Sequence, residues 1–63
     1  MSRTTTPHAG QHAWFIRYVS TREGWVAETI RGDVEERTAT GWVLRVGSEL
    51  RELPESEWSA YRP

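Results

Sequence analysis

Four tryptophans in a chain of 63 residues that contains no cysteine are the feature that most constrains this protein. A domain of this length buries only about 60% of the surface that its unfolded chain exposes. No disulfide can compensate for so small a core, so large apolar side chains must provide most of the stability. We expect one small domain that buries some of its indoles and leaves the surplus to contact another molecule. The four are Trp14, Trp25, Trp42 and Trp58.

Charge and hydropathy exclude several broad classes of protein. Eight basic residues, all arginine, stand against nine acidic residues and give a net charge of −1. A chain with this balance lacks the strong positive field that typically holds nucleic acid. No segment reaches the ~18 apolar residues that a membrane-spanning helix needs, and the amino terminus lacks the apolar core of a signal peptide. Together with the lack of cysteine, this indicates a cytoplasmic protein.

The chain divides into a polar segment and a β-rich segment. Residues 1–12 are polar and without periodicity, which predicts a flexible amino-terminal arm. Residues 13–63 alternate short runs of β-forming residues with turn signals, which predicts a single small β domain. The expected connections are Thr21–Gly24, Gly32-Asp33, Gly41 and Gly47-Ser48, and the expected strands are 13–20, 25–31, 34–40, 42–46 and 49–53.

Connections this short favour an antiparallel meander or barrel, since parallel strands need long crossovers. After Pro54, the tail has the composition of a short carboxy-terminal helical turn, with Trp58 and Tyr61 about one turn apart. We therefore predict a mainly all-β domain of four to five short strands ending in that turn. The architecture resembles that of small SH3-like barrels, but no sequence motif identifies a family.

The expected turns also fix a strand register. With Thr21–Gly24 as the first loop, Arg17 lies opposite Glu28. With Gly32-Asp33 as a two-residue hairpin loop, Glu28 in turn lies opposite Arg37. The sequence therefore predicts a ladder of alternating charge across three strands, in which each pair contributes about 0.2–1 kcal/mol.

This register sorts the apolar side chains onto two faces, neither of which is cleanly polar. We take the aliphatic face as the core and the aromatic face as a candidate binding surface for a partner. A tightly curled barrel buries residues of both faces at different points, so the pattern alone leaves this assignment open. The core face carries Val26, Ile30, Leu44 and Val46, and the predicted partner-binding residues are Trp14, Tyr18, Trp25, Arg31 and Arg45.

Residues with catalytic or ligand-binding chemistry are sparse. His8 and His12 are four apart, but the segment contains a proline and a glycine and offers no third ligand, so we predict no metal site. No histidine stands within the strands to activate a serine, and no glycine-rich phosphate loop is present. We therefore predict no cofactor, no small-molecule substrate and no enzymatic activity.

Two functional hypotheses follow from the surplus aromatic residues. The first is a non-enzymatic protein-binding module: an adaptor, regulator or inhibitor of a larger protein, of the compact kind that phages and mobile elements carry. Self-association through the same face, as a homodimer or larger homo-oligomer, is a variant of it. The second is a small barrel that stacks single-stranded nucleic acid on its aromatic residues, or cages a methylated or arginine-rich tail. Binding that weakens steeply with salt would favour nucleic acid.

Overall fold

The domain is built from five antiparallel strands in one open sheet. The computed structural model describes residues 6–62, and these residues contain no helix. The sheet order is β4-β3-β2-β1-β5, so consecutive strands are neighbours until β5 returns to the free side of β1. The all-β, antiparallel prediction is confirmed. The strands are β1 His12–Thr21, β2 Gly24–Arg37, β3 Gly41–Val46, β4 Glu49–Pro54 and β5 Ser59–Tyr61.

The first hairpin has the predicted register. Thr21 lies opposite Gly24, Ser20 opposite Trp25, and Arg17 opposite Glu28. Gly24 adopts a φ of 118°, which favours glycine, and the Thr21 hydroxyl donates to the Gly24 carbonyl over 2.7 Å. The turn chemistry of the sequence therefore sets this part of the sheet.

The second predicted hairpin is wrong, because Gly32 and Asp33 lie within a continuous β2. Gly32 pairs with Ala13, and Asp33 pairs with both His12 and Arg45. A Cβ at Gly32 would collide with the Arg45 carbonyl oxygen, so glycine is needed for close approach of β3 rather than for a turn. The expected strands 25–31 and 34–40 are therefore one long strand that changes neighbours halfway.

The predicted carboxy-terminal helical turn is not confirmed, because the described residues contain no helix. The Pro54 carbonyl accepts hydrogen bonds from the backbone N–H groups of Glu57 and Trp58, each over 3.0 Å, which closes a single turn. The chain then extends as β5, where Tyr61 lies opposite Trp14. Pairing with the free side of β1 satisfies more backbone groups than one further helical turn would.

The core lies on one face of the sheet, the inner face. Leu44 is fully buried, as predicted, and Ile30 and Val46 are half-buried and pack against the core cluster. Val26 is 48% exposed, so its assignment to the core is wrong, because its part of the first hairpin extends past the packed residues. The buried cluster consists of Ala13, Phe15, Val34, Trp42, Leu44, Leu53 and Trp58.

Two arginines cover the buried indoles at the rim of the core. The guanidinium of Arg37 lies 4.7 Å from the ring centroid of Trp42, and that of Arg17 lies 4.8 Å from the centroid of Trp58. Arg37 pairs with Glu55 at 2.9 Å rather than with Glu28. The predicted charge ladder is therefore correct for Arg17 and Glu28 and wrong for Arg37, which lies opposite Trp42 in the actual register.

The segment before β1 contacts the core. The Trp42 indole N–H donates to the Pro7 carbonyl over 3.2 Å, and the Gln11 carbonyl accepts the Val34 N–H over 2.7 Å. The Gly10 N–H donates to the Val34 carbonyl over 2.9 Å. The predicted amino-terminal arm, residues 1–12, lies partly outside the described residues, and β1 already begins at its last position.

Candidate functional site

The outer face of the sheet, opposite the core, carries the candidate site. Side chains alternate between faces along each strand. Because Phe15 is fully buried, its neighbours Trp14 and Ile16 point outward. The same alternation places on this face all five residues predicted from the sequence. The outer face comprises His12, Trp14, Ile16, Tyr18 and Ser20 of β1, Trp25, Ala27, Thr29, Arg31, Asp33 and Glu36 of β2, Val43 and Arg45 of β3, Leu50 and Glu52 of β4, and Ser59 and Tyr61 of β5.

Trp14 is the centre of an aromatic cluster on the outer face. It lies directly opposite Arg31, whose guanidinium stands 4.9 Å from the indole centroid. Tyr61 and His12 approach the same indole edge to face, at centroid distances of 6.4 and 6.3 Å. These neighbours leave Trp14 half-buried, so most of its indole is already covered within the chain.

Tyr18 and Trp25 form a second group, nearer the tip of the first hairpin. Tyr18 lies opposite Ala27, and Trp25 lies opposite Ser20, so the two residues are diagonal neighbours on the same face. Residues in this relation are typically about 7–8 Å apart. Tyr18 is 64% exposed and Trp25 is 72% exposed. These are the two aromatic side chains that the fold leaves uncovered among the described residues.

Their exposure has a structural cause, because no second layer from residues 6–62 packs on this part of the hairpin. Every residue from Ser20 to Thr29 is exposed, on both faces of the two strands. We call residues 18–29 the hairpin arm. A two-stranded hairpin with no packed face is at best marginally stable by itself in water. The arm is thus attached to the body of the domain without contributing to its core.

Arg45 lies apart from both aromatic groups. A β-bulge between Val34 and Glu36 places Glu35 beside Arg45, and the two form an ion pair at 2.6 Å. The hydrogen bond that the Arg45 guanidinium donates to the Glu35 carboxylate raises the pKa of Arg45 above its usual value. Arg45 is diagonal to Arg31 through Asp33, its register partner.

The five predicted residues therefore share one face but not one compact site. The structure brings together Trp14 with Arg31 and Tyr18 with Trp25, while Arg45 is a separate position. Two outer-face residues were not predicted. Tyr61 was missed because it was placed in a helical turn. Leu50 is 57% exposed and lies opposite Arg45. Its position could have been predicted from the turn at Gly47-Ser48 and the alternation of side chains along β4.

Comparisons with known proteins leave the site to be interpreted from its own chemistry. No protein-family model matches the chain, and no curated protein or solved structure is similar to it. None of the described residues belongs to a helix long and apolar enough to cross a membrane.

Proposed function

We propose that this chain is a non-enzymatic protein-binding domain, a small SH3-like barrel that acts as an adaptor, regulator or inhibitor of a larger protein. It contacts that protein through the hairpin arm, at one end of the outer face. The exposed pair Tyr18 and Trp25 is the observation that carries the proposal. The strand order, with β5 returning to β1, supports the barrel architecture.

The apolar surface on the arm is large for so small a domain. Fully burying one large aromatic removes about 150–250 Å² from water. Burying the exposed 72% of Trp25 in an interface would thus contribute roughly 3–4 kcal/mol before the costs of association. Trp and Tyr are also enriched among the residues that dominate binding energies at protein interfaces. The exposed pair Tyr18 and Trp25 matches that pattern.

The charges of the outer face favour a protein over single-stranded nucleic acid. Arg31 is stacked on Trp14, and Arg45 is neutralised by Glu35. Asp33 and Glu52 add negative charge to the same face, and the whole chain carries a net charge of −1. A nucleic-acid surface of comparable area would present unpaired cations along the path of the phosphates.

Affinity capture from the native host with matched variants tests the proposal. The bait proteins are the wild type, Tyr18→Ala as the arm variant, and Leu50→Ala as an exposed apolar control at the opposite end of the same face. We expect the same partner to be retained by the wild type and by Leu50→Ala and lost from Tyr18→Ala. Its retention should change little as salt rises.

Two outcomes would contradict the proposal. One is equal retention by all three baits, which would mean that the arm makes no contact. The other is tight binding of a single-stranded oligonucleotide whose affinity falls steeply with added salt. Unchanged thermal unfolding of Tyr18→Ala confirms that any loss reflects the surface and not the fold.

A further inference from the structure

One edge of the hairpin arm is an unpaired strand edge. β2 pairs with β1 along its first ten residues, but β3 begins to pair with β2 only at Asp33. From Gly24 to Arg31, the side of β2 away from β1 therefore borders no other strand among residues 6–62. Unpaired backbone N–H and C=O groups along such an edge are a template for another strand.

The hydrogen bonds of Val34 show which residues of β2 face that edge. Its N–H donates to Gln11 and its C=O accepts from Gly10, so its backbone groups point toward the side of β1. Backbone groups alternate in direction along a strand. In the odd-numbered residues these groups therefore point away from β1. The backbone N–H and C=O groups of Trp25, Ala27, Thr29 and Arg31 thus point toward the unpaired edge.

We infer that this edge pairs with the same edge of a second copy of the chain, antiparallel and about a two-fold axis at Glu28. The four residues whose backbone groups point toward the edge are placed symmetrically around Glu28. Trp25 therefore pairs with Arg31 of the second copy, and Ala27 pairs with Thr29. Four residue pairs, each exchanging two N–H···O bonds, then satisfy every outward group, eight bonds in all. Any other two-fold register among these residues pairs fewer of them.

The side chains agree with this register. On the outer face, each Trp25 lies beside Arg31 of the other copy, whose guanidinium is already stacked on its own Trp14. On the inner face, each Val26 lies beside Ile30 of the other copy, which covers a valine that is 48% exposed in the single chain. The two Glu28 carboxylates meet at the axis, where each is compensated by its own Arg17 at 2.7 Å.

The other edges of the sheet carry the features that normally prevent pairing. β4 presents Pro54 and three charged residues, and β5 is only three residues long. The part of β1 that does not pair with β5, residues 17–21, begins at Arg17, whose side chain forms an ion pair with Glu57 at 3.1 Å. Residues 24–31 contain no proline and form the longest unpaired edge among the described strands. This contrast selects β2 as the pairing edge.

The inferred dimer joins two sheets into one and sets two outer faces side by side. The inference depends on the edge of β2 and stands whether or not the outer face binds another protein. Its failure and the failure of the proposed function are therefore separate results.

Disulfide trapping tests the register directly, because the chain has no cysteine of its own. In Glu28→Cys the two new thiols face each other in a non-hydrogen-bonded pair, with Cα atoms about 4.5 Å apart, which suits a disulfide. The matched control is Glu23→Cys at the exposed turn, whose two copies would lie about 33 Å apart in this register. We expect Glu28→Cys to form a covalent dimer at least about tenfold faster than the control.

A second variant separates edge pairing from random collision. Ala27→Pro removes an N–H that points outward, so it leaves the hydrogen bonds of the arm to β1 in place. We expect it to abolish rapid trapping of Glu28→Cys, and to stay monomeric in sedimentation velocity between about 1 µM and 500 µM while the wild type associates. Trapping of Glu28→Cys no faster than that of Glu23→Cys, or a wild type that is monomeric throughout, would overturn the inference.

Discussion

Truncation of Leu44 is the sharpest test of the inner-face core. Leu44→Ala removes three carbons from a side chain that is fully buried. At ~0.8 kcal/mol per methylene the transfer alone costs about 2.4 kcal/mol, and the cavity left behind brings the expected loss to about 3–5 kcal/mol. The upper part of that range applies because β3 is hydrogen-bonded to β2 and β4, which limits collapse around the cavity. A domain of 63 residues has a total stability of roughly 3–9 kcal/mol.

The measurement is a urea titration followed by tryptophan fluorescence. We expect Leu44→Ala to be largely unfolded in water, or to melt at least about 10 °C below the wild type. Leu50→Ala serves as the matched control, because Leu50 is the same residue type on an adjoining strand but is 57% exposed. It should change the free energy of unfolding by less than about 0.5 kcal/mol. Equal midpoints for the two variants would refute the assignment of the core.

Two further predictions concern the contacts that close the body of the domain. Gly32→Ala should lower the free energy of unfolding by more than about 2 kcal/mol in the same titration, because its new Cβ collides with the backbone of Arg45. In the control Gly47→Ala the new Cβ meets no atom, so the loss should be only about 1 kcal/mol, caused by the φ of 63°. A result in which both glycines tolerate alanine equally would contradict the close approach of β3. Trp42→Phe removes the hydrogen bond to the Pro7 carbonyl at 3.2 Å and should lower stability by about 1–2 kcal/mol. No loss in that variant would indicate that the segment before β1 does not hold the core closed.

The parts of the fold predicted correctly are those determined by local sequence. The first hairpin follows from a four-residue signal in which Gly24 supplies the positive φ, and its register then follows from strand periodicity. The turn at Gly47-Ser48 and the strands on either side of it are equally local. These signals also fixed the outward direction of Tyr18 and Trp25.

The errors arose where tertiary contacts override a local signal. Gly32-Asp33 has the composition of a hairpin loop, yet the glycine is required by the approach of the Arg45 backbone from a strand distant in sequence. The tail after Pro54 has helix-compatible composition, but the unpaired side of β1 offers a strand partner. The local sequence at these two places does not indicate that β3 or the unpaired side of β1 will lie beside it.

The five residues predicted for the candidate site all lie on one face of the sheet, but they do not form one compact site. Trp14 and Arg31 were expected to belong to an open surface, but the Arg31 guanidinium stacks on the Trp14 indole, and Tyr61 packs against the same indole edge to face. The sequence predicted that Trp14 and Trp25 lie on the face opposite the core. It did not predict that the first hairpin extends beyond the packed layer. That extension depends on where Phe15, Leu44 and Leu53 meet, which is a property of the assembled core.

The separation of the arm from the packed layer has a consequence for how such a protein changes over evolutionary time. Most substitutions are eliminated because they reduce folding free energy below a tolerable threshold. Positions 20–29 are all exposed and lie outside the core cluster, so replacements there leave that reserve almost untouched. Under the proposed function, contacts at Trp25 and its neighbours can therefore change over evolution without a matching loss of folding free energy from the buried core.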